Sequence, residues 1–188
     1  LGFVVLGPIG ALVGSVIGSN LSSRSSRRRP NNFDKQVAFF AALFACLAKI
    51  AKADGRVDES EVNKIEEIIS SKLNLKGEHR KFAINIFQKA KDDNVSFEAY
   101  ASNLYQILSS SPNSLLVFYE MLFELALADG NLHPNEDDLL KKIPRIFKFD
   151  HKVYQSLYEK YVDQTKNYYK TLEVSESSSF ADIKKAYL

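Results

Sequence analysis

The sequence predicts an all-α fold, a helical bundle of two pseudo-repeated halves, and three observations lead to that prediction. Apolar residues recur at helical spacing in the segments that begin near Val37 and Leu115. No stretch of residues 34–165 shows the strict alternation of polar and apolar residues that is typical of a half-buried strand. An eleven-residue motif also occurs twice, at an offset of 75 residues. A long offset of this kind favours two matched helix–turn–helix halves of one bundle over a solenoid.

The apolar stripes place the individual helices. The first stripe consists of Val37, Phe40, Phe44, Leu47 and Ala51, and the second consists of Leu115, Tyr119, Leu122 and Ala126. Further helices are predicted over residues 58–72, 78–91, 97–109, 134–147 and 151–161. The chain is therefore expected to be helical from residue 34 to about residue 165.

The composition fits a folded protein and excludes some classes of function. Of the 188 residues, 45% are hydrophobic and 26% are charged, as in a globular core. The only charged residues in positions 1–33 are four arginines, whereas the rest of the chain holds 21 basic and 23 acidic residues. Because the folded part is slightly acidic, nucleic acid is not expected as a partner. The single cysteine, Cys46, excludes an internal disulfide and is expected in the core.

The N-terminal segment is apolar and rich in glycine. Residues 1–18 carry no charge, and a membrane-spanning helix is predicted over residues 1–21. Gly10, Gly14 and Gly18 share one helical face, which favours close helix association in lipid and a homodimer. Arg24 and the arginines at 27–29 follow within a basic linker, residues 22–33, and place the following domain in the cytoplasm.

Two alternatives to a membrane anchor remain open for this segment. A signal for export would place the protein in the periplasm, although its charges would then precede the apolar stretch instead of following it. A buried helix of a soluble domain is the other alternative, and five glycines in eighteen residues disfavour it.

The repeated motif predicts two equivalent helix corners. Residues 51–61 align with residues 126–136. Gly55 and Gly130 stand where a helix ends and a left-handed residue is needed. Asp58 with Glu61 predicts a capping box, and Pro134 suits the first turn of a helix.

Carboxylates of the two corners raise the question of a metal site. An EF-hand is excluded, because Ile50 and Lys52 in the first copy, and Leu125 and Leu127 in the second, stand where its loop needs oxygen ligands. Asp54, Glu61, Asp129 and Glu136 form a candidate site if the two halves converge. Capping explains these residues better than metal binding, so no metal and no cofactor are predicted. With no catalytic triad and no phosphate-binding loop in the sequence, no enzymatic activity is predicted either.

The C-terminal residues resemble the beginning of a DnaJ-type J domain. The resemblance consists of Tyr168-Tyr169-x-x-Leu172-x-Val174, a polar turn at 175–179, and Ile183-Lys184-Lys185-Ala186-Tyr187. It implies a domain core that includes Tyr169, Leu172, Val174, Ile183 and Tyr187, and it implies that Lys184 and Lys185 contact a DnaK-type chaperone. The family's His-Pro-Asp signature would fall about seven residues past Leu188. Residues 166–188 are thus expected to be a J-domain fragment that, as given, does not stimulate DnaK.

The doubled Ala-x-Ala-Asp-Gly corner resembles the TerB-like domain, here residues 34–165. The order of an apolar span, this domain and a J domain resembles the DjlA type of membrane-anchored DnaJ-like protein. The resemblance implies a co-chaperone of the bacterial inner membrane that recruits DnaK and stimulates its ATP hydrolysis. The alternative function is a TerB-like stress-response or interaction module, with metal binding as an option, and without chaperone activity.

Overall fold

The computed structural model describes residues 7–17, 32–163 and 185, and this part of the chain is all-α without a strand. Its helices are α1 (Pro8–Ile17), α2 (Asn32–Ala51), α3 (Glu59–Glu67), α4 (Gly77–Asp92), α5 (Phe97–Leu108), α6 (Pro112–Ala126), α7 (Pro134–Leu140), α8 (Ile143–Phe147) and α9 (Lys152–Tyr158). Helices α3 and α9 continue as π-helical turns, Ile68–Lys72 and Glu159–Asp163. The predicted all-α fold class is confirmed for the described residues.

Helix α2 forms the centre of the bundle. It contacts α1, α4, α5, α6 and α7, and every residue from 41 to 48 is buried. A helix that is apolar on all sides must be surrounded by other helices, and its small buried residues, such as Ala41, Ala45 and Ala48, let them approach closely. Cys46 lies in this core with no exposed surface, as predicted, and burial raises the pKa of its thiol.

The helix predicted over residues 134–147 is broken into α7 and α8, and the reason is Pro144. Proline has no N–H to donate to the carbonyl four residues earlier, which is that of Leu140. The buried hydroxyl of Tyr119 donates to this carbonyl instead, at 2.7 Å. The prediction of one continuous helix was therefore wrong at residues 141–142, where a turn replaces the helix.

Helix α1 packs against the bundle through one face. Ile9 and Leu12 are 1% and 5% exposed, and α1 contacts α2, α4 and α5. Among the residues that the structure describes, no helix is long and apolar enough to cross a membrane. In the predicted glycine face, Gly10 is half-buried and Gly14 is exposed, whereas Gly18 lies outside the described residues, as do residues 1–6 and 18–31.

The predicted J-domain fragment lies almost entirely outside the described residues. That holds for the predicted core residues Tyr169, Leu172, Val174, Ile183 and Tyr187, and for Lys184. Lys185 is described, and it is helical and exposed. Its place in a J-domain helix and its contact with a chaperone both stay predictions.

Candidate functional site at the paired helix corners

The two copies of the repeat fold into the same helix corner. Equivalent backbone hydrogen bonds close both corners at 2.9 to 3.0 Å. They join Ala53 N to Ile50 O and Ala128 N to Leu125 O, and then Gly55 N to Lys52 O and Gly130 N to Leu127 O. Each donor and acceptor of the first corner has its counterpart 75 residues later, which is the offset of the sequence repeat.

Glycine and aspartate give the corners their shape. Gly55 and Gly130 have φ angles of +101° and +93°, in a region that side chains with a Cβ rarely adopt. Asp54 Oδ1 accepts the N–H of Arg56 at 3.0 Å, and Asp129 Oδ1 accepts the N–H of Asn131 at 2.8 Å. These aspartates therefore fold the chain back on itself directly after the helix, as Asx turns do. The predicted role of both glycines is confirmed.

The helices that follow the corners are capped by glutamates. Asp58 Oδ1 accepts the N–H of Glu61, and Glu61 Oε2 accepts the N–H of Asp58, both at 2.9 Å. This reciprocal pair is the predicted capping box of α3. In the second copy, Glu136 Oε2 accepts the N–H of His133 at 3.1 Å at the start of α7. Pro134 occupies the first turn of α7, as predicted.

The fold brings the two corners together. The side-chain amide of Asn135 in the second corner donates to the carbonyl of Ala53 in the first, at 3.1 Å. All four residues of the predicted candidate site line one narrow cleft with two further polar side chains. The six polar residues of this acidic cleft are Asp54, Asp58, Glu61, Asp129, His133 and Glu136.

His133 was not among the residues of the predicted candidate site, although it lines the same cleft. The signal that could have found it is its position, 75 residues after Asp58. Its ring Nε2 lies 3.1 Å from Asp129 Oδ2, and this hydrogen bond raises the pKa of His133. In the second corner, His133 therefore occupies the N-cap position that Asp58 occupies in the first corner.

Burial makes the two capping glutamates weaker acids than exposed glutamates. Glu61 is 8% exposed and Glu136 is 3% exposed. Loss of water raises the pKa of Glu61 to about 7 and that of Glu136 to about 8. The negative charge of Glu61 raises the pKa of Glu136 further. The negative charges of Asp54 and Asp129 likewise raise the pKa of Glu61. The acidic cleft can therefore hold protons near neutral pH.

The geometry gives the capping role directly and offers less for a metal ion. Each glutamate already accepts a backbone N–H, and in residues 7–17 and 32–163 no three side chains of histidine, cysteine, aspartate or glutamate are arranged to hold a metal ion. What the arrangement supplies chemically is a pair of proton-binding groups shared by the two halves of the repeat.

Comparison with known proteins gives a consistent picture. Residues 40–158 match the family model described as "Tellurite resistance protein TerB". The chain is 31% identical over 183 residues to the "Co-chaperone protein DjlA" of Photobacterium profundum, an alignment that covers 85% of this chain and 66% of that protein. It is 28% identical over 216 residues to the protein of the same name from Coxiella burnetii, with coverage of 100% and 79%.

The protein of that name from Escherichia coli K12 is 30% identical over 134 residues, which cover 70% of this chain and 49% of that relative. The chain thus spans just under two thirds of the Photobacterium relative and about half of the Escherichia relative. No solved structure matches the chain.

Proposed function

Since this chain belongs to the TerB family, we propose that its helical domain is the central part of a membrane-anchored, DnaJ-like co-chaperone. In this proposal the complete protein recruits a DnaK-type chaperone and stimulates its hydrolysis of ATP. The observation that carries the proposal is the extended similarity to proteins named "Co-chaperone protein DjlA".

The extent of that similarity matters more than its level. The TerB model accounts for residues 40–158, whereas the alignments with the Photobacterium and Coxiella proteins cover 85% and 100% of the chain. The relationship therefore continues beyond the TerB region into the flanking segments. Those segments contain the apolar glycine-rich stretch before the bundle and the Tyr-Tyr string after it, so the whole module order supports the proposal.

The proposed division of labour follows this order. Residues 1–21 anchor the protein in the bacterial inner membrane, with Gly10, Gly14 and Gly18 at a homodimer contact, and the remaining domains lie in the cytoplasm. Tyr169, Leu172, Val174, Ile183 and Tyr187 belong to the core of the J domain. Lys184 and Lys185 present positive charge to an acidic face of the chaperone.

Binding of the ATP state of a DnaK-type chaperone tests this proposal. We expect the complete gene product that contains these 188 residues to bind it, and the double variant Lys184→Ala/Lys185→Ala to bind about tenfold more weakly, the equivalent of about 1.4 kcal/mol. The double variant Lys76→Ala/Lys152→Ala is the matched control, since both lysines are exposed on the TerB region and their loss removes the same charge. Equal weakening by both pairs would contradict a specific basic contact.

The second candidate function is a TerB-like stress-response or interaction module without chaperone activity. The observation that favours it is the acidic cleft, where the fold brings Asp54, Glu61, Asp129 and Glu136 together. Titration with calcium or zinc distinguishes a metal-dependent version of this candidate. A rise in thermal stability that Glu136→Gln abolishes would support it, and an unchanged melting temperature would contradict it.

A further inference from the structure

Helix α1 occupies a groove that it does not fill. The groove is formed by α2, α4 and α5. On one side of α1 lies a cleft of about 570 Å³, lined by residues that include Leu12, Gln88 and Tyr100. Near the C-terminal end of α1 lies a second cleft, of about 390 Å³, lined by residues that include Val16, Phe40 and Phe82. Helix α1 therefore leaves space beside it in the groove.

The contacts of α1 are nevertheless specific. Ile9 and Leu12 enter the same hydrophobic core as the residues of α2. Lys89 of α4 donates to the carbonyl of Ser15 at 2.6 Å. This carbonyl is in the last turn of α1, where the helix itself supplies no N–H, so the lysine satisfies a group that would otherwise need water. The groove therefore accommodates an apolar helix and fixes one of its ends.

We propose that the groove between α2, α4 and α5 is a reversible docking site for this chain's own α1, which occupies it in water and leaves it when residues 1–21 insert into a membrane. The inference rests on the membrane anchoring proposed above. Docking buries two large apolar side chains of α1, whereas insertion removes the whole uncharged stretch of residues 1–18 from water. Insertion of α1 into a membrane is therefore expected to be more favourable than its docking in the groove.

Release of α1 changes the surface of the TerB region. Val37, Phe40 and Phe82 line the second cleft beside α1, and departure of α1 also uncovers the core side chains against which Ile9 and Leu12 pack. Anchored protein thus presents a binding surface that unanchored protein conceals. The device makes the TerB region sensitive to whether the protein has reached its membrane.

Chemical cross-linking tests the docking. Ala11 and Gln88 are exposed residues that line the same cleft, one on α1 and the other on α4. The double variant Ala11→Cys/Gln88→Cys of the complete protein is treated with a flexible bis-maleimide, first in detergent-free buffer and then after addition of phosphatidylethanolamine–phosphatidylglycerol vesicles. The linked peptides are quantified by mass spectrometry of the monomeric band. Cys46 does not interfere, because it has no exposed surface.

A pair within the bundle serves as the control. Glu66 and Arg80 form an ion pair of 2.7 Å between α3 and α4, and both side chains are 44% exposed. The double variant Glu66→Cys/Arg80→Cys should cross-link equally with and without vesicles. Flotation of the vesicles in a density gradient reports membrane binding separately from docking.

We expect the Ala11–Gln88 link to form in buffer and to fall at least fivefold in floated protein, while the control link is unchanged. Absence of the link in buffer, or a link that persists in floated protein, would overturn the docking inference and leave the anchoring intact. Protein that does not float would overturn the proposed anchoring, and with it the exchange.

Discussion

Asp93→Ala is expected to lower the free energy of unfolding by about 2–4 kcal/mol, since it removes the centre of a partly buried ionic network. Lys49, whose side chain is 13% exposed, places its ammonium 2.8 Å from Asp93 Oδ1 and donates to the Asp93 carbonyl at 2.7 Å. The hydroxyl of the fully buried Tyr100 donates to Asp93 Oδ2, and the N–H of Val95 donates to Oδ1. Without the carboxylate, the Tyr100 hydroxyl loses its acceptor, and Lys49 keeps only the carbonyl of residue 93 as a partner in a site with little water.

Urea denaturation measures this effect, with the neighbouring Asp92→Ala as the matched control. Asp92 is exposed and its nearest ion-pair partner, Lys91, is 3.6 Å away. Its removal should change stability by less than about 0.5 kcal/mol. Asp93→Asn should be intermediate, because the amide oxygen can still accept one of these hydrogen bonds. Similar losses for Asp92→Ala and Asp93→Ala would show that the network does not hold α4 against α2 and α5.

The second large effect is expected in the pH dependence of stability, because the acidic cleft retains protons in the folded state. The pKa values of Glu61 and Glu136, about 7 and about 8, lie above the ordinary value of 4.5. A carboxyl with a raised pKa binds more protons when folded than when unfolded, so the free energy of unfolding falls as the pH rises from about 5 to about 8. The raised pKa of His133 acts in the same direction, since its charged form is favoured in the fold.

Glutamine at these positions should remove most of the dependence. Glu61→Gln and Glu136→Gln keep an oxygen that accepts the capping N–H but cannot acquire a charge. At pH 8.5 we expect the double variant to be more stable than the natural protein by roughly 2 kcal/mol. Each unit of pKa shift can contribute at most about 1.4 kcal/mol, and the expected gain is well below the total for both glutamates because solvent screens the cleft. At pH 5 the two proteins should differ little.

Thermal denaturation between pH 5 and 8.5 measures this dependence, with Glu59→Gln as the control. Glu59 is also in the first turn of α3 but is exposed. Its replacement should leave the slope of stability against pH unchanged. If the natural protein and the double variant showed parallel pH profiles, the glutamates would not carry protons in the folded state.

The sequence was sufficient for features that depend on neighbouring residues. Apolar spacing located the helices, the Asp-Gly pairs located both corners, and Asp58 with Glu61 predicted a capping box that the structure contains. The convergence of Asp54, Glu61, Asp129 and Glu136 could be raised from the repeat alone, because pseudo-symmetric halves bring equivalent residues to one axis.

Features that depend on distant contacts could not be predicted. Pro144 was visible in the sequence. The hydrogen bond from the Tyr119 hydroxyl to the Leu140 carbonyl could not be predicted, because it depends on how α6 and α7 are placed relative to each other. The raised pKa values of Glu61 and Glu136 arise because both side chains are buried where the two halves of the repeat meet. The spacing of residues in the sequence does not reveal this burial. The hydropathy of residues 8–17 could not distinguish a protein groove from a bilayer, because both remove apolar side chains from water.

Single-turnover hydrolysis of ATP by a DnaK-type chaperone is the most direct test of the proposed co-chaperone function. With the complete gene product, hydrolysis should accelerate several-fold or more. The Lys184→Ala/Lys185→Ala variant should lose most of the acceleration, and the Lys76→Ala/Lys152→Ala control should retain it. An ATP turnover rate that the complete gene product leaves unchanged would contradict the account.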